Sequence, residues 1–522
     1  MDSTKDAYAF SAEGKDSDTA AVSTITGSGV YNIVGDIRAA DGGILTLDLA
    51  EGSRFEGKAV LDSGNDSQST LTMAKNSLWT LTGNSQLNSL QNEQSVIDMT
   101  GDNKAFSTLS VETLTGNGGT IIMDIDGSQV DASDKIYVTG DFSGSQTLSL
   151  KEINGLDSDP GIGQAAENTV LASVNGSGTF TADDQEGTLY WQRYELGQKD
   201  SAASGYTTDW YLKGITNLNL PTTSVEAIAA SGALAYHTWR DHDQLLQRLG
   251  DLRQHGREEE GVWVRVKGGK LSRSDQFEFE NKYTQYELGY DQKLKSTPAY
   301  TRYAGISFSY LDGDSSYSSG SGENKVKALN IYGTQIGAKG HYLDLVLKYS
   351  QLDNDFKVFD TSGNKITGDY DQNGLSISAE YGRKNNLKNN WYIEPQAQLT
   401  FGRLRGTDYT TSNGIRVDQD GIDSFVGRIG FNIGKDINEK TNIYLKANLM
   451  HEFGGGYNAS MVDASGTKAR LDRNFDDTWF EYGLGAAVQT GKNNYFYVDV
   501  ERSAGSDYKK DWQWNVGARW SF

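Results

Sequence analysis

The sequence predicts an all-β chain: a 12-stranded antiparallel transmembrane β-barrel with a pore-spanning α-helix, preceded by a right-handed parallel β-helix. Three observations carry this. Residues Asp511 to Phe522 alternate strictly, with Trp512, Trp514, Val516, Ala518, Trp520 and Phe522 on one face and polar residues or Gly on the other. From Gly261 onward, twelve segments of roughly barrel-strand length each present one apolar face. Ahead of them lie short alternating strands broken by Gly, Asn, Asp and Ser turns, and then a helix-friendly stretch.

Composition agrees with many short strands, tight turns and aromatic girdles, since 60 Gly and 28 Tyr stand against 4 Pro. The absence of Cys excludes disulfides, thiolate metal sites and a catalytic thiol. It also suits a chain that crosses a periplasm and a narrow pore without crosslinks. The net charge of −22 is uneven: residues 1–220 hold 31 Asp+Glu and 12 Lys+Arg, and the remainder is nearly balanced. Nucleic acid is therefore excluded as a partner of the front segment. No run of about 18 apolar residues predicts a membrane helix. Met1–Asp6 lacks the apolar region of a secretory signal and is expected to be a mature or shortened start.

In chain order, residues 1–110 read as a β-helix remnant, on runs such as Ile44–Leu49, Ser69–Met73 and Leu78–Gly83 at about 15–25-residue spacing. A β-sandwich is the alternative for this stretch. Residues 111–220 contain stronger strand runs, including Gly119–Ile125, Lys135–Val138 and Asp209–Leu212. From Ser224 or a neighbouring Thr as N-cap, Val225 through about Gln254 predicts one helix of about 40 Å, inside a linker over 221–256. Its polar residues Arg240, Asp241, Arg248, Asp251 and Arg253 suit a hydrated pore. Residues 257–522 form the barrel. Alternation there puts Arg265, Lys267, Glu287, Asp291, Arg428, Lys446, Glu481, Asp499 and Glu501 on the inner face, in structural and transport roles. Pro395 lies inside the seventh strand, where it costs a ladder hydrogen bond.

Leu114–Thr120 with Ser133–Val138 resembles the C-terminal end of a pertactin-like passenger. Leu249–Arg253, Gly261–Arg265, Leu288–Asp291, Trp391–Leu399, Val426–Gly430 and Trp512–Gly517, taken in order, resemble the autotransporter translocator family. The first resemblance implies that residues 111–220 cap the β-helix and assist its folding outside the cell. The second implies export of an N-terminal passenger by type V secretion, with the helix left in the pore, and it accommodates Pro395. It also implies a C-terminal assembly signal in Trp512, Trp514, Val516, Trp520 and Phe522. The implied partners are outer-membrane lipid and lipopolysaccharide, the barrel-assembly machinery, periplasmic chaperones and an unknown ligand on a host or neighbouring cell. Passengers cut inside the helix carry an Asn-Asn pair there; residues 223–254 contain no Asn, so the passenger is expected to stay attached.

No enzyme, metal or cofactor is expected in this chain. All five His (His237, His242, His255, His341 and His451) fall after residue 220, which excludes a Ser-His-Asp site in the front segment. Asp124–Ser128 bears a faint likeness to a calcium loop but reads better as a strand end and turn. The passenger's job is expected to be adhesion or cell–cell association. The alternative is an enzymatic passenger, a protease or esterase, whose catalytic domain lies upstream. A passive porin is disfavoured because the helix plugs the pore.

Overall fold

The computed structural model describes all residues except 1–7, 16–19, 63–65, 102–104, 155–167, 242–243, 250–259, 276 and 492. It divides into two units, Met1–Leu220 with Ser465–Thr467, and Pro221–Ala464 with Lys468–Phe522.

The first unit is a parallel β-helix whose strands stack into three sheets. Inward positions form columns along its axis. Leu47, Leu71, Leu90, Leu114 and Phe142 stand side by side on five successive strands. On a second sheet, Phe55, Trp79, Ile97, Ile121 and Leu148 do the same. All ten are essentially inaccessible, and burying each aliphatic side chain contributes about 1.5–3 kcal/mol. The repeat is hard to read in sequence because coil length varies. Leu78 pairs with Val96, Val96 with Thr120 and Thr120 with Thr147, offsets of 18, 24 and 27 residues.

Several polar groups inside the unit are paired with one another or with backbone N–H groups. Asn92 Nδ2 donates to Gln146 Oε1 at 2.7 Å. Gly119 lies between them, where a Cβ would come within 2.3 Å of both. Asp134 is fully buried and accepts from the backbone N–H groups of Ser107 (2.6 Å) and Asp124 (2.7 Å). Burial pushes Asp134 up to about 7 and Asp124 up to about 6. In the segment with the faint calcium-loop likeness, Asp126 accepts from the Ser128 N–H at 2.9 Å, an Asx-type turn after the strand. Parallel pairing runs on to the strands at Val170–Gly176 and Thr179–Ala182. Then Thr208–Pro221 returns antiparallel along Val170–Gly176 and covers the open edge. Trp210 packs edge-on against Phe180 at 5.6 Å beneath it.

The second unit is the barrel. Its strands are β1 (Gly261–Arg273), β2 (Phe279–Ser296), β3 (Tyr300–Tyr317), β4 (Gly320–Gly337), β5 (His341–Phe359), β6 (Lys365–Arg383), β7 (Trp391–Leu404), β8 (Ile422–Asn438), β9 (Thr441–Glu452), β10 (Asp477–Gln489), β11 (Asn494–Ala504) and β12 (Tyr508–Ser521). Every neighbour is antiparallel, and β1 pairs with both β2 and β12, which closes the sheet. Closure removes the edges that an open sheet would leave unpaired. Outward residues align across strands into an apolar wall: Tyr290, Ile306, Ile331, Leu347, Ile377, Phe401 and Phe425 form one row over seven strands. Pro395 falls where the β6–β7 ladder is interrupted: pairing runs from Leu404 to Gln396, lapses, and resumes at Ile393 opposite Asn385. Its missing N–H therefore costs no ladder bond on that side.

The turns at one end of the barrel are short. At the other end, Thr407–Thr410, Arg416–Gln419, Gly456–Val462 and Lys468–Asn474 form a four-stranded antiparallel sheet. In a barrel of this kind short turns face the periplasm and long connections face outward.

Candidate functional site

The site is the lumen and what fills it. Helix α1 (Thr223–Arg240) begins at Thr222, whose hydroxyl accepts from the Val225 N–H at 3.5 Å. Ala227, Ile228, Ala229, Ala230, Ala233, Leu234 and Ala235 make it apolar on every side, and all seven are buried. Such a helix is stable only when surrounded, and strands on several sides of the barrel meet it. Ser231 hydrogen-bonds Tyr370 on β6 at 2.8 Å. Gly232 leaves room for the Tyr457 side chain, whose hydroxyl a Cβ would approach to 2.6 Å and whose ring to 2.8 Å. Trp239 fits against Gly374 and Gly402 on β6 and β7, where Cβ atoms would stand 2.1 and 2.7 Å from its ring. At about 1.5 Å per residue, α1 is about 27 Å long.

The single helix expected from Val225 to Gln254 is interrupted among the described residues, and 250–254 lie outside them. α1 ends at Arg240, Asp241 adopts φ −59°, ψ 120°, and a short second helix, α2 (Leu245–Leu249), follows. The cause is tertiary. Lys348 Nζ donates to the terminal carbonyls of Trp239 and Asp241, both at 3.3 Å, which satisfies orphan groups at a helix C-terminus. The Asp241 carboxylate meets Lys267 at 2.6 Å and Lys510 at 3.4 Å. The lumen around α1 is also filled by side chains, so the hydrated environment expected of a polar helix does not apply to this stretch.

Around α2 the inward charges form one network. Arg265 pairs with Glu287 and donates to the Gln247 carbonyl at 3.2 Å. Lys446 meets Asp499 and Glu501, each at 2.6 Å. Lys510 meets Glu501 at 2.6 Å and Glu481 at 3.5 Å. Arg428 meets Glu380 at 3.1 Å and donates to Gln396, Gln398 and Asn448. Asp291 pairs with Arg519 at 2.6 Å. α2 is tied in by its Leu245 N–H to Glu380 (2.9 Å) and by Gln247 Nε2 to Glu501 (2.9 Å). Buried charges of this kind need partners to offset desolvation.

Among the residues singled out from sequence, Arg265, Lys267, Glu287, Asp291, Arg428, Lys446, Glu481, Asp499 and Glu501 are all buried and face inward. Arg240 is buried at the end of α1, with its guanidinium 4.5 Å from the Trp479 ring centroid and 3.6 Å from Glu452. Asp251, Arg253, His242 and His255 lie outside the described residues, as does the Arg248 side chain. Trp512, Val516, Trp520 and Phe522 are exposed on the outer wall, and Trp514 is half-buried there.

Sequence reasoning missed several contributors, Arg519 and Lys348 among them, and three more bear on the helix and the network. Glu452, fully buried, accepts from Tyr236 Oη and Ser424 Oγ at 2.7 Å and from the N–H groups of Phe425 and Gly454; the strand alternation does place it inside. Glu380 lies on β6 by the same parity. Lys510 has the wrong parity, since Trp512 and Trp514 point outward. A bulge explains it: Lys270 pairs with Trp512 but Leu271 with Lys510, so Asp511 is the extra residue and Lys510 turns inward.

Residues 262–501 match the family model described as Autotransporter beta-domain, and residues 87–214 match the model described as Pertactin. The chain is 28% identical to the protein named Probable autotransporter YcgV of Escherichia coli strain K12, over 96% of this chain and 55% of the relative. It is 28% identical to the Pertactin autotransporter of Bordetella bronchiseptica, over 93% of this chain and 56% of that protein. The chain thus spans about half the length of these curated relatives. Further matches include serine protease autotransporters of E. coli. Among solved structures, the β-domain of the Bordetella autotransporter BrkA aligns at 26% identity and a TM-score of 0.42, over 51% of this chain and all of that one.

Proposed function

We propose, from the premise that this chain belongs to the autotransporter family as an outer-membrane translocator carrying a surface-exposed passenger, that the barrel exports and then anchors its own passenger. The observation that carries this is α1 itself. The chain leaves the last β-helix strand at Pro221 and enters the lumen within two residues, so passenger and barrel are joined through the pore. On this reading residues 1–110 are passenger coils, 111–220 their folding cap, 221–256 the pore linker and 257–522 the translocator. The inward charges solvate the pore during passage and then hold the linker. The terminal row from Trp512 to Phe522 is the signal read by the barrel-assembly machinery, with periplasmic chaperones before it.

The passenger's role is adhesion or cell–cell association. Support comes from the outward row Thr46, Thr70, Ser89 and Thr113, one hydroxyl residue per coil, a polar row suited to many weak contacts. A second reading, an upstream protease, draws on the serine protease relatives.

The test is to tag the segment near residue 60, express the chain with a signal peptide, and treat intact cells with protease. Loss of the tag with survival of a barrel-sized, heat-modifiable fragment is expected. A tag digested only after outer-membrane permeabilisation would defeat the export reading.

A further inference from the structure

The lipid-facing wall is not uniformly convex. On β8–β11, near the short-turn end, it contains a hollow of about 420 Å³ walled by Ile433, Ile443, Leu445, Leu484, Val498 and Val500. Its origin is a register row. Lys435, Ile443, Ala486 and Val498 stand side by side on four strands, and Ala486 supplies one methyl where its neighbours supply branched chains. Trp391 continues the row on β7 opposite Lys435.

The rim of this hollow is polar in one particular way. The Lys435 ammonium lies 5.7 Å from the Trp391 ring centroid, on an outward position where every other member of the row is apolar. Lysine beside tryptophan is the arrangement of a membrane interface, stem along the apolar wall and charge at headgroup level. Lys388 and Lys440 lie on the two flanking turns, with Glu439 beside Lys440 and Asp436 taken up by Lys384 at 3.4 Å. The whole end shares this bias. Its five short connections, 297–299, 338–340, 384–390, 439–440 and 490–493, contain five Lys and one Glu. The connections at the other end, 274–278, 318–319, 360–364, 405–421, 453–476 and 505–507, contain ten Asp or Glu and five Lys or Arg.

We propose that this hollow holds one anionic phospholipid of the leaflet facing the short turns, with an acyl chain lying over Ala486 and the phosphate at Lys435. Three features select this occupant. An apolar trough of about 420 Å³ fits a flexible hydrocarbon chain. A cation at the interface fits a negative headgroup. The acidic opposite end places the attraction on one leaflet only. A second copy of the chain would bring lysine against lysine across a two-fold contact, which like charge opposes.

The experiment is native mass spectrometry of the full chain purified in detergent and doped with phosphatidylglycerol or phosphatidylcholine of the same chain length. Wild type should retain one phosphatidylglycerol and several-fold less phosphatidylcholine. Lys435→Gln should lower the phosphatidylglycerol preference about fivefold, the effect of one lysine beside an anionic headgroup. Ala486→Phe, which fills the trough, should reduce retention of both lipids, with heat-modifiability confirming a folded barrel. Equal retention of the two lipids by wild type, or an unchanged preference in Lys435→Gln, overturns the proposal. So does a dimer that Ala486→Phe converts to monomer, because the hollow would then be an interface between copies.

Discussion

Glu452 is the residue on which the seating of α1 should depend most. It is fully buried, accepts from Tyr236, Ser424 and two backbone N–H groups, and faces Arg240 at 3.6 Å. Arg240 is otherwise enclosed by the rings of Trp479, Tyr508 and Tyr236 at 4.5 to 5.4 Å. Removing one partner of a buried ion pair costs roughly 3–5 kcal/mol, mostly because the other charge is left behind. Gln at 452 keeps some hydrogen bonds, so Glu452→Gln should fall near the lower figure, about 3 kcal/mol. Since about 1.4 kcal/mol is tenfold, the ratio of seated to unseated helix should drop about a hundredfold. Planar-bilayer recording reads this directly: wild type should be mostly closed, and Glu452→Gln should show frequent long openings with an unchanged barrel on semi-native gels. The double variant Arg240→Met/Glu452→Gln should close again, because no buried charge then lacks a partner. Wild-type conductance in Glu452→Gln, or a double variant as leaky as the single one, would refute the reasoning.

The other expectations concern the remaining parts of the molecule. Asp134 and Asp124 titrate near 7 and 6 in the fold against about 3.9 when unfolded. Between those values the folded passenger retains protons that the unfolded chain has released. The stabilisation is therefore complete below about pH 4 and lost as pH rises through 7, by at most about 1.4 kcal/mol per pH unit for each proton. The urea midpoint for proteolysis of residues 1–220 in the full chain should be higher at pH 5 than at pH 8, and Asp134→Asn should flatten that slope; equal midpoints in wild type would contradict it. Gly119→Val should separate Asn92 from Gln146 and cost about 1–3 kcal/mol, lowering the same midpoint, while Gly29→Val, with open space around it, should not. Gly289→Leu should dislodge Trp263, whose ring a Cβ at 289 would approach to 2.2 Å and whose Nε1 donates to Tyr332 at 2.8 Å. A lower heat-modification temperature is the readout. A denaturing gel of whole cells should show one full-length band, since no Asn occurs in 223–254; a separate barrel band would count against an attached passenger.

What could be read from the sequence, and what could not, follows the range of the interactions involved. A strand's inner face is fixed by local alternation. Arg265, Lys267, Glu287 and Glu501 could therefore be placed inside without knowing what they meet. The same rule misplaces Lys510, because a one-residue bulge at Asp511 reverses parity and leaves no mark in composition. The helix was legible in its start to within two residues, Ser224 or a neighbouring Thr against the observed cap Thr222, but not in its end. The spacing of Leu245, Leu246, Leu249 and Leu252 favours continuation, and the break at Asp241 comes from Lys267, Lys348 and Lys510, up to 269 residues away. Gly232, Gly374 and Gly402 look like weak points in a helix and two strands. Only the folded barrel shows that Tyr457 and Trp239 occupy the space they leave.

On the export reading, the charge pattern of the lumen has a physical logic. The segment to be moved holds 31 carboxylates and 12 cations. A pore lined only by Lys and Arg would bind such a chain at each step, and one lined only by Asp and Glu would repel it. Here several inward cations already have a carboxylate from the wall: Arg265 has Glu287, Arg428 has Glu380, Lys446 has Asp499 and Glu501, and Lys510 has Glu481 and Glu501. A passing Asp would compete for partners that are already engaged, so its dwell time should be short. Asp241 differs from a passing Asp because it does not arrive alone. Trp239 fits against Gly374 and Gly402 while Arg240 reaches Glu452, and together they set Asp241 between Lys267 and Lys510. The apolar fit supplies what the charges do not, a reason for this segment of the chain to stop where others pass.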